Sequence, residues 1–294
     1  MNLRPITAFF FALLLGLSFC LKGQRFTTTN SFDRISKVTV GFSGNTYFGE
    51  LRRSRDPNLQ AGLGFGIGYE HLMTDNLGIR AQLSYYTIRA NDSIATVPSQ
   101  RARNLNFKAN NIEFVVQGVY YTHRHPAKGY RDRAFVNPFF HLGIGVTSNN
   151  PVQNLNGTDY NMRALNIEGE EYGGLALIVP LGFGVDIFVS KNWDIQLDLQ
   201  YNVAFTGYLD DVSGVYRDQA SFTDTDGVSA ITLAQLSDPR TVLTPPLAPV
   251  DAGTLRGDGS NDSYMRASIK LAYYLPKSLY GKSSIRCRVI KKTR

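Results

Sequence analysis

The chain has 294 residues, of which 43% are hydrophobic and 19% are charged, and this composition excludes an intrinsically disordered protein. The formal net charge is +7, but two basic residues lie before residue 24 and seven lie after Pro276, and neither segment contains an acidic residue. The body between these segments therefore carries a net charge of −2, which argues against a nucleic-acid-binding surface spread over a domain.

Residues 1–23 have the organisation of a secretory signal peptide. Arg4 precedes the apolar run AFFFALLLGLSFCL, and the polar stretch KGQRF follows it at once. A membrane anchor is the alternative, but the run is short for a bilayer-spanning helix. A lipoprotein at Cys20 is disfavoured because bulky Phe19 precedes it. We predict that the signal is removed and that the rest of the chain is exported.

Segments in which apolar and polar residues alternate recur along the exported chain. This period of two is typical of β-strands whose two faces have different surroundings. It fits a soluble sandwich with its apolar face inward, and equally a membrane barrel with its apolar face toward lipid. The clearest examples, in chain order, are AGLGFGIGYE, LGIRAQLSYY, LALIVPLGFGVDIF, WDIQLDLQYNVAF and YMRASIKLAYYL.

The predicted connections alternate between short and long. Leu72–Asn76 and Ser190–Asn192 are tight turns, and Thr122–Phe135 is intermediate. The long connections are Tyr47–Leu59, Ile88–Arg103, Ser148–Glu171 and the turn-rich Gly207–Ser263. Short turns at one rim and long loops at the other are typical of outer-membrane barrels. The sequence therefore predicts an all-β protein of the bacterial outer membrane, in which residues 24–276 form a transmembrane up-and-down antiparallel β-barrel of about eight strands.

In such a barrel the polar face of each strand lines the interior, where unpaired charges are costly. The expected interior charges have both signs: Glu70, Arg80, Glu113, Asp186, Asp194, Asp198, Arg266 and Lys270. The strand with Asp194 and Asp198 comes just before the strand with Arg266 and Lys270. We therefore expect Arg80, Glu113, Asp194, Asp198, Arg266 and Lys270 to form ion pairs in a packed lumen rather than an open pore.

Four short motifs carry a resemblance to a known family. They are NTYFGELR at the end of the first strand, RNLNFKANNIEF at the fourth, YLDDVSGVY after the seventh, and RGDGSNDSYM before the last. In this order, over about Lys37–Pro276, the chain resembles the PorG-like outer-membrane β-barrels of bacteria that use type IX secretion. The resemblance implies a non-enzymatic component or scaffold of the type IX secretion and gliding machinery. It also implies contact with a periplasmic ring lipoprotein and its partner.

The chain departs from the usual barrel pattern at its C-terminus. Residues 277–294 form a basic extension beyond the last strand, whereas outer-membrane barrels usually end on that strand. This tail is either disordered or a docking segment for an acidic periplasmic partner.

No combination of residues in the sequence predicts catalysis, a cofactor or a metal. His123 and His125 have a spacing that metal sites use, but no Cys or carboxylate lies beside them. Asp258, Ser260 and Asp262 begin like a calcium loop, yet Ser263 stands where Gly is needed. We interpret YLDD as a segment that fixes the long loop to the barrel rim. The residues expected to organise that rim are Tyr208, Asp210, Asp211, Arg256 and Asp262.

Two other functions stay open at this point. One is a small porin-like transport or adhesion barrel that binds ligands through its long loops, and the other is a lipid-modifying enzyme. The expected partners are outer-membrane lipids and the periplasmic secretion proteins, with no nucleic acid and no small-molecule substrate.

Overall fold

The computed structural model describes residues 36–49, 51, 60–123 and 133–275. The predicted signal peptide and the basic tail lie outside the described residues. The same holds for the middle of the Thr122–Phe135 connection and for most of Tyr47–Leu59.

Eight strands form a closed antiparallel wall. Each pairs with the next wall strand along the chain, and the last pairs with the first, which closes the cylinder. The wall strands are β1 (Ser36–Phe48), β2 (Gly62–Leu72), β3 (Leu77–Asn91), β4 (Asn106–Tyr121), β5 (Val136–Ser148), β8 (Leu175–Phe188), β9 (Trp193–Ala204) and β10 (Ser263–Tyr274). The prediction of an up-and-down barrel of about eight strands is confirmed.

The pair formed by β9 and β10 shows which face of the wall points inward. Leu197 is 41% exposed and Ile269 is 56% exposed, whereas Asp198 and Lys270 are 5% and 7% exposed. The apolar face therefore points outward and the polar face points into the barrel, the reverse of a soluble sandwich.

Apolar side chains from every wall strand cover the outside. Examples taken in strand order are Phe42, Leu63, Leu83, Phe114, Ile144, Leu181, Leu197 and Ile269. Soluble monomers rarely expose an apolar surface of this extent, whereas the lipid-facing band of a membrane barrel has this composition. The fold is that of a transmembrane β-barrel. Among the described residues, none of the helices combines the length and apolar character needed to cross a membrane.

The two rims of the barrel differ. At the short-turn rim, residues 73–76 join β2 to β3 and residues 189–192 join β8 to β9. The wall also begins and ends there, because the backbone N–H of Leu275 donates to the carbonyl of Ser36 over 2.9 Å. At the opposite, long-loop rim, residues 92–105, 149–174 and 205–262 connect the strands.

The long loops contain more regular structure than the turn-rich sequence indicated. The elements are α1 (Pro98–Arg103), the hairpin β6 (Pro151–Leu155) and β7 (Thr158–Asn161), α2 (Met162–Leu165), α3 (Ala230–Ser237), and 3-10 turns at Asp92–Ile94, Gln219–Ser221 and Pro239–Val242. Two loops share a small core of their own, formed by Leu155, Met162, Leu165, Ile167, Phe222, Leu233 and Leu236. The apolar residues of these loops therefore stabilise an ordered cap above the wall.

Candidate functional site: a filled lumen and a clamped mouth

The level of the lumen nearest the short-turn rim is filled by a cluster of four charges and one tyrosine. Lys37 Nζ lies 2.6 Å from an Asp186 oxygen and 3.3 Å from Glu70, which also accepts from Arg80 Nε at 2.9 Å. The Tyr121 hydroxyl donates to Glu70 over 2.5 Å. All of these side chains are buried, so each charge is neutralised by direct partners rather than by water.

The middle level centres on Asp198. This carboxylate accepts from Lys270 at 2.6 Å and contacts His141 Nε2 at 2.8 Å, and Arg80 lies 3.6 Å away. Space for the imidazole comes from Gly182, because a methyl group there would lie 2.7 Å from Nε2 of His141. A side chain at this glycine would thus displace one partner of the network.

The level nearest the long-loop rim is built on one bidentate pair that crosses the lumen. The Arg266 guanidinium donates to the two Glu113 oxygens at 2.6 and 3.1 Å, and its Nε donates to Asn45 at 3.1 Å. The Tyr264 hydroxyl also contacts Glu113. Bidentate Arg–carboxylate pairs are among the strongest hydrogen-bonded pairs in proteins.

The predicted lumen charges are all buried, but their partners differ from what chain order indicated. Of the four charges on β9 and β10, only Asp198 and Lys270 pair with each other, and Arg266 reaches across the lumen instead. Asp194 pairs with Arg133, which comes from the turn region, and accepts from the Tyr274 hydroxyl at 2.8 Å.

The mouth of the barrel at the long-loop rim is closed by apolar side chains. Leu209 and Val212, from the loop after β9, are 0% and 2% exposed. They pack among inward-facing residues of the wall in one cluster: Tyr47, Tyr86, Ile88, Ala90, Phe107, Ala109, Val115, Ile178, Ala204 and Tyr264, with Leu51 and Leu105 from the loops. The YLDDVS segment therefore enters the mouth as a stopper, with its apolar residues as the inserted part.

Hydrogen bonds around one tyrosine hold this segment in place. The Tyr47 hydroxyl donates to Asp210 over 2.7 Å and also contacts Asp262. The second oxygen of Asp262 accepts the backbone N–H of Leu209 at 2.9 Å. These hydrogen bonds thus join three parts of the chain at one buried point: the end of β1, the stopper, and the residue just before β10.

A second cluster fixes the stopper from its outer side. Arg256 Nη1 lies 2.8 Å from Glu168 and 3.7 Å from the Asp211 carboxylate, and it also donates to the backbone carbonyl of Asp211. The Tyr172 hydroxyl donates to Asp211 over 2.6 Å, and the Tyr172 ring stacks on Tyr208 with centroids 4.7 Å apart. We define the mouth clamp as eight residues: Tyr47, Glu168, Tyr172, Tyr208, Asp210, Asp211, Arg256 and Asp262.

Burial dominates the electrostatics of the clamp. It raises the pKa of Asp211 to about 6, although the charge of Arg256 acts in the opposite direction. Burial also raises the pKa of the Tyr172 hydroxyl, and the neighbouring Asp211 adds to this effect. For Arg256 burial acts to lower the pKa, but Glu168 and Asp211 outweigh it and the pKa is raised. The arginine therefore stays charged, while Asp211 is poised to change charge under mildly acidic conditions.

The five rim residues expected from the sequence lie together in the clamp, but three of their partners were missed. Tyr47, Glu168 and Tyr172 come from other parts of the chain, and only Tyr47 lay within a motif that had been noticed. Lys37 and His141 were missed as lumen partners. Lys37 lies at the start of β1, just before the segment where the alternation is clear.

The described residues do not converge on a recognisable reaction centre. Within them, no group of three or more His, Cys, Asp or Glu side chains could hold a metal ion. His125 lies outside the described residues, and Asp258 and Asp262 serve a local turn and the clamp. One Ser–His contact exists, between Ser36 Oγ and His71 Nδ1 at 2.7 Å, but no carboxylate among the described residues pairs with this histidine.

Comparison with known proteins shows similarity in backbone fold but not in sequence. No family model matches the chain, and no curated protein matches it in sequence. Among solved structures, Neisserial surface protein A is 11% identical with a TM-score of 0.37, covering 82% of this chain and 96% of its own. Ail of Yersinia pestis, in complex with the heparin analogue sucrose octasulfate, is 9% identical with a TM-score of 0.38, covering 82% and 99%. The outer membrane enzyme PagL is 12% identical with a TM-score of 0.29, covering 82% and 98%.

The fold assignment therefore rests on the closed strand pairing and the apolar exterior of the chain itself. These define its class as a closed eight-stranded membrane barrel with a filled lumen and a mouth stoppered by one of its own loops.

Proposed function

We propose that this protein is a non-enzymatic outer-membrane barrel that acts as a scaffold of the type IX secretion and gliding machinery. The observation that carries the scaffold role is the obstruction of the barrel. Ion pairs fill three levels of the lumen, and Leu209 and Val212 occupy the mouth. A barrel whose described lumen and mouth are filled in this way would act through its two rims and its lipid-facing surface.

The assignment to type IX secretion is supported by the four motifs that resemble PorG-like barrels. Three of them supply clamp residues, because NTYFGELR contains Tyr47, YLDDVSGVY contains Asp210 and Asp211, and RGDGSNDSYM contains Arg256 and Asp262. These motifs therefore correspond to residues with a structural task in this chain. The short-turn rim is the surface that would meet the periplasmic ring lipoprotein and its partner.

Site-specific photocrosslinking in intact cells tests the proposal. A photoreactive amino acid replaces Met73 or Val189, which are 61% and 55% exposed at the short-turn rim. Matched control positions are Ile231 and Leu255 in the long loops, 74% and 72% exposed. We expect a periplasmic lipoprotein to be captured from the first two positions only. Capture of no periplasmic protein, or the same products from all four positions, contradicts the scaffold assignment.

A small adhesion or porin-like barrel is the second candidate. It is favoured by the exposed apolar side chains of the ordered loop cap, since a rigid cap with such residues suits contact with an external partner. Single-channel conductance and binding of the purified protein to whole cells separate the candidates. Sustained ion current would favour a porin, and cell binding that is lost on Ile231→Asp would favour an adhesin. An altered lipid composition in a deletion strain would instead indicate a lipid-modifying enzyme.

A further inference from the structure

The outer face of the β3–β4 pair changes character stepwise toward the long-loop rim. Tyr85 and Ile112 face each other in the register and are exposed apolar side chains of the lipid-facing band. Two residues further on, Thr87 faces Asn110, and its hydroxyl donates to the amide oxygen over 2.8 Å. The apolar band therefore ends at an uncharged polar row on this side of the barrel.

The next outward-facing row places two cations side by side. Arg89 lies directly opposite Lys108 in the antiparallel register, and both side chains are exposed. Within the part of the chain that the structure describes, neither forms an ion pair or a side-chain hydrogen bond. Like charges directly opposite each other on a sheet are destabilising. An anion bound between them would turn this repulsion into attraction.

Both cations line a cleft of about 430 Å³ on the outside of the wall. Val152 of the β6–β7 hairpin pairs with Lys108 and forms another wall, together with Asn154 and Asp159. Asp159 accepts from the Asn154 side-chain amide at 2.6 Å and forms no ion pair with Arg89 or Lys108 among the described residues. A volume of this size suits a small polar ligand rather than a protein segment.

The height of the cleft points to the lipid headgroups. Arg89 follows Thr87, where the apolar band ends, by two residues, which is about 7 Å along the strand and about 5 Å along the axis at the usual strand tilt. The headgroup layer of a bilayer begins where the apolar band ends and is roughly 5–8 Å thick. The two cations therefore lie at about the level of lipid phosphates, with the cleft open beside them.

We propose that this cleft binds a phosphate group of a phosphorylated glycolipid in the outer leaflet, with Arg89 and Lys108 as the paired cations. Basic side chains at this depth attract anionic headgroups, and an arginine can hold a phosphate in two-point contact. The proposal rests on the outer-membrane location proposed above but not on type IX secretion, so it stands or falls separately from the crosslinking experiment.

Native mass spectrometry of the full-length protein in detergent tests the site, with lipid A and enzymatically dephosphorylated lipid A as probes. We expect the wild-type protein to retain the phosphorylated probe preferentially. The double substitution R89Q/K108Q should weaken this retention roughly tenfold and abolish the preference. The charge-retaining swap R89K/K108R should keep both. The opposite-rim substitution K191Q is the matched control and should behave as wild type.

A gel shift between unheated and boiled samples verifies that each variant is a folded barrel before binding is measured. Inorganic phosphate in large excess should not displace the lipid, because the acyl chains lie on the apolar band. Undiminished retention by folded R89Q/K108Q, equal retention of the two probes by the wild type, or full displacement by inorganic phosphate would each overturn the proposal.

Discussion

The lumen and the mouth clamp both bury carboxylates beside arginines and tyrosines, but they are held in different ways. In the lumen, Glu113 and Arg266 project from wall strands whose register is fixed along their whole length. In the clamp, Asp211, Glu168 and Arg256 lie on two long loops outside the strands of the wall. Buried polar networks therefore serve two purposes here: the first stabilises the barrel as a whole, and the second fixes a loop segment at its mouth.

The largest effect is expected from Glu113→Gln in the lumen. The substitution keeps the shape of the side chain but leaves the buried Arg266 guanidinium without its anion. Removing one partner of a buried pair costs about 3–5 kcal/mol. We expect the free energy of unfolding, measured by urea titration in detergent micelles, to fall by that amount. The control Glu170→Gln changes an exposed loop carboxylate and should leave it unchanged.

A double substitution separates the loss of the pair from the burial of an unpaired charge. In E113Q/R266M neither charge remains, so much of the stability lost in E113Q should return. If E113Q alone unfolds within about 1 kcal/mol of wild type, the lumen pair is not a determinant of stability, and the contrast with the clamp disappears.

The sequence was sufficient for the wall but not for the pairings inside it. A period of two places Asp198, Lys270 and Arg266 on the polar face of β9 and β10, and their burial was expected once the loop lengths had indicated a membrane barrel. Which charges share a level depends on the stagger of the strands around the barrel, which is a property of the closed wall. This is why Arg266 meets Glu113, 153 residues away, rather than a carboxylate on the adjacent strand.

The clamp was predictable only in part, for a different reason. Asp210 and Asp211 end a strand motif and suggested a rim role, but Glu168 and Tyr172 lie in a loop without periodicity. Contacts between loops depend on where each loop crosses the mouth, and no local pattern encodes that path. Asp211 itself adopts a left-handed backbone conformation, with φ +63°, which marks a sharp reversal that the letters DD do not specify.

The clamp should respond to mild changes of pH. The pKa of Asp211 is about 6 in the folded loop and 3.8 ordinarily, so the folded loop binds the proton more tightly. The stabilisation that comes from this tighter proton binding amounts to at most about 3 kcal/mol. It is fully present below about pH 4 and is lost as the pH rises through 6. Hydrogen exchange of residues 207–216, corrected for intrinsic rates, should show protection falling between pH 4 and pH 7.

Asp211→Asn removes the titrating group and should make this protection independent of pH over the same range. Asp226→Asn, an exposed carboxylate in the same long loop, should keep the wild-type dependence. An unchanged pH dependence in D211N would contradict the assignment of the effect to Asp211.

The smallest of these effects is expected from Tyr47→Phe, which removes only the hydroxyl between Asp210 and Asp262. The ring still fills the apolar cluster at the mouth, so the wall should unfold at nearly the same urea concentration as wild type. The loss of buried hydrogen bonds to two carboxylates costs about 1–3 kcal/mol. This cost lowers the free energy that holds the stopper in the mouth. Limited proteolysis should therefore cleave Y47F faster within residues 207–216, whereas Tyr69→Phe, an outward-facing tyrosine of the wall, should be cleaved as wild type. If Y47F lowers the stability of the wall by as much as E113Q does, the clamp and the lumen form one cooperative unit, and the distinction between a fixed barrel and a releasable stopper is wrong.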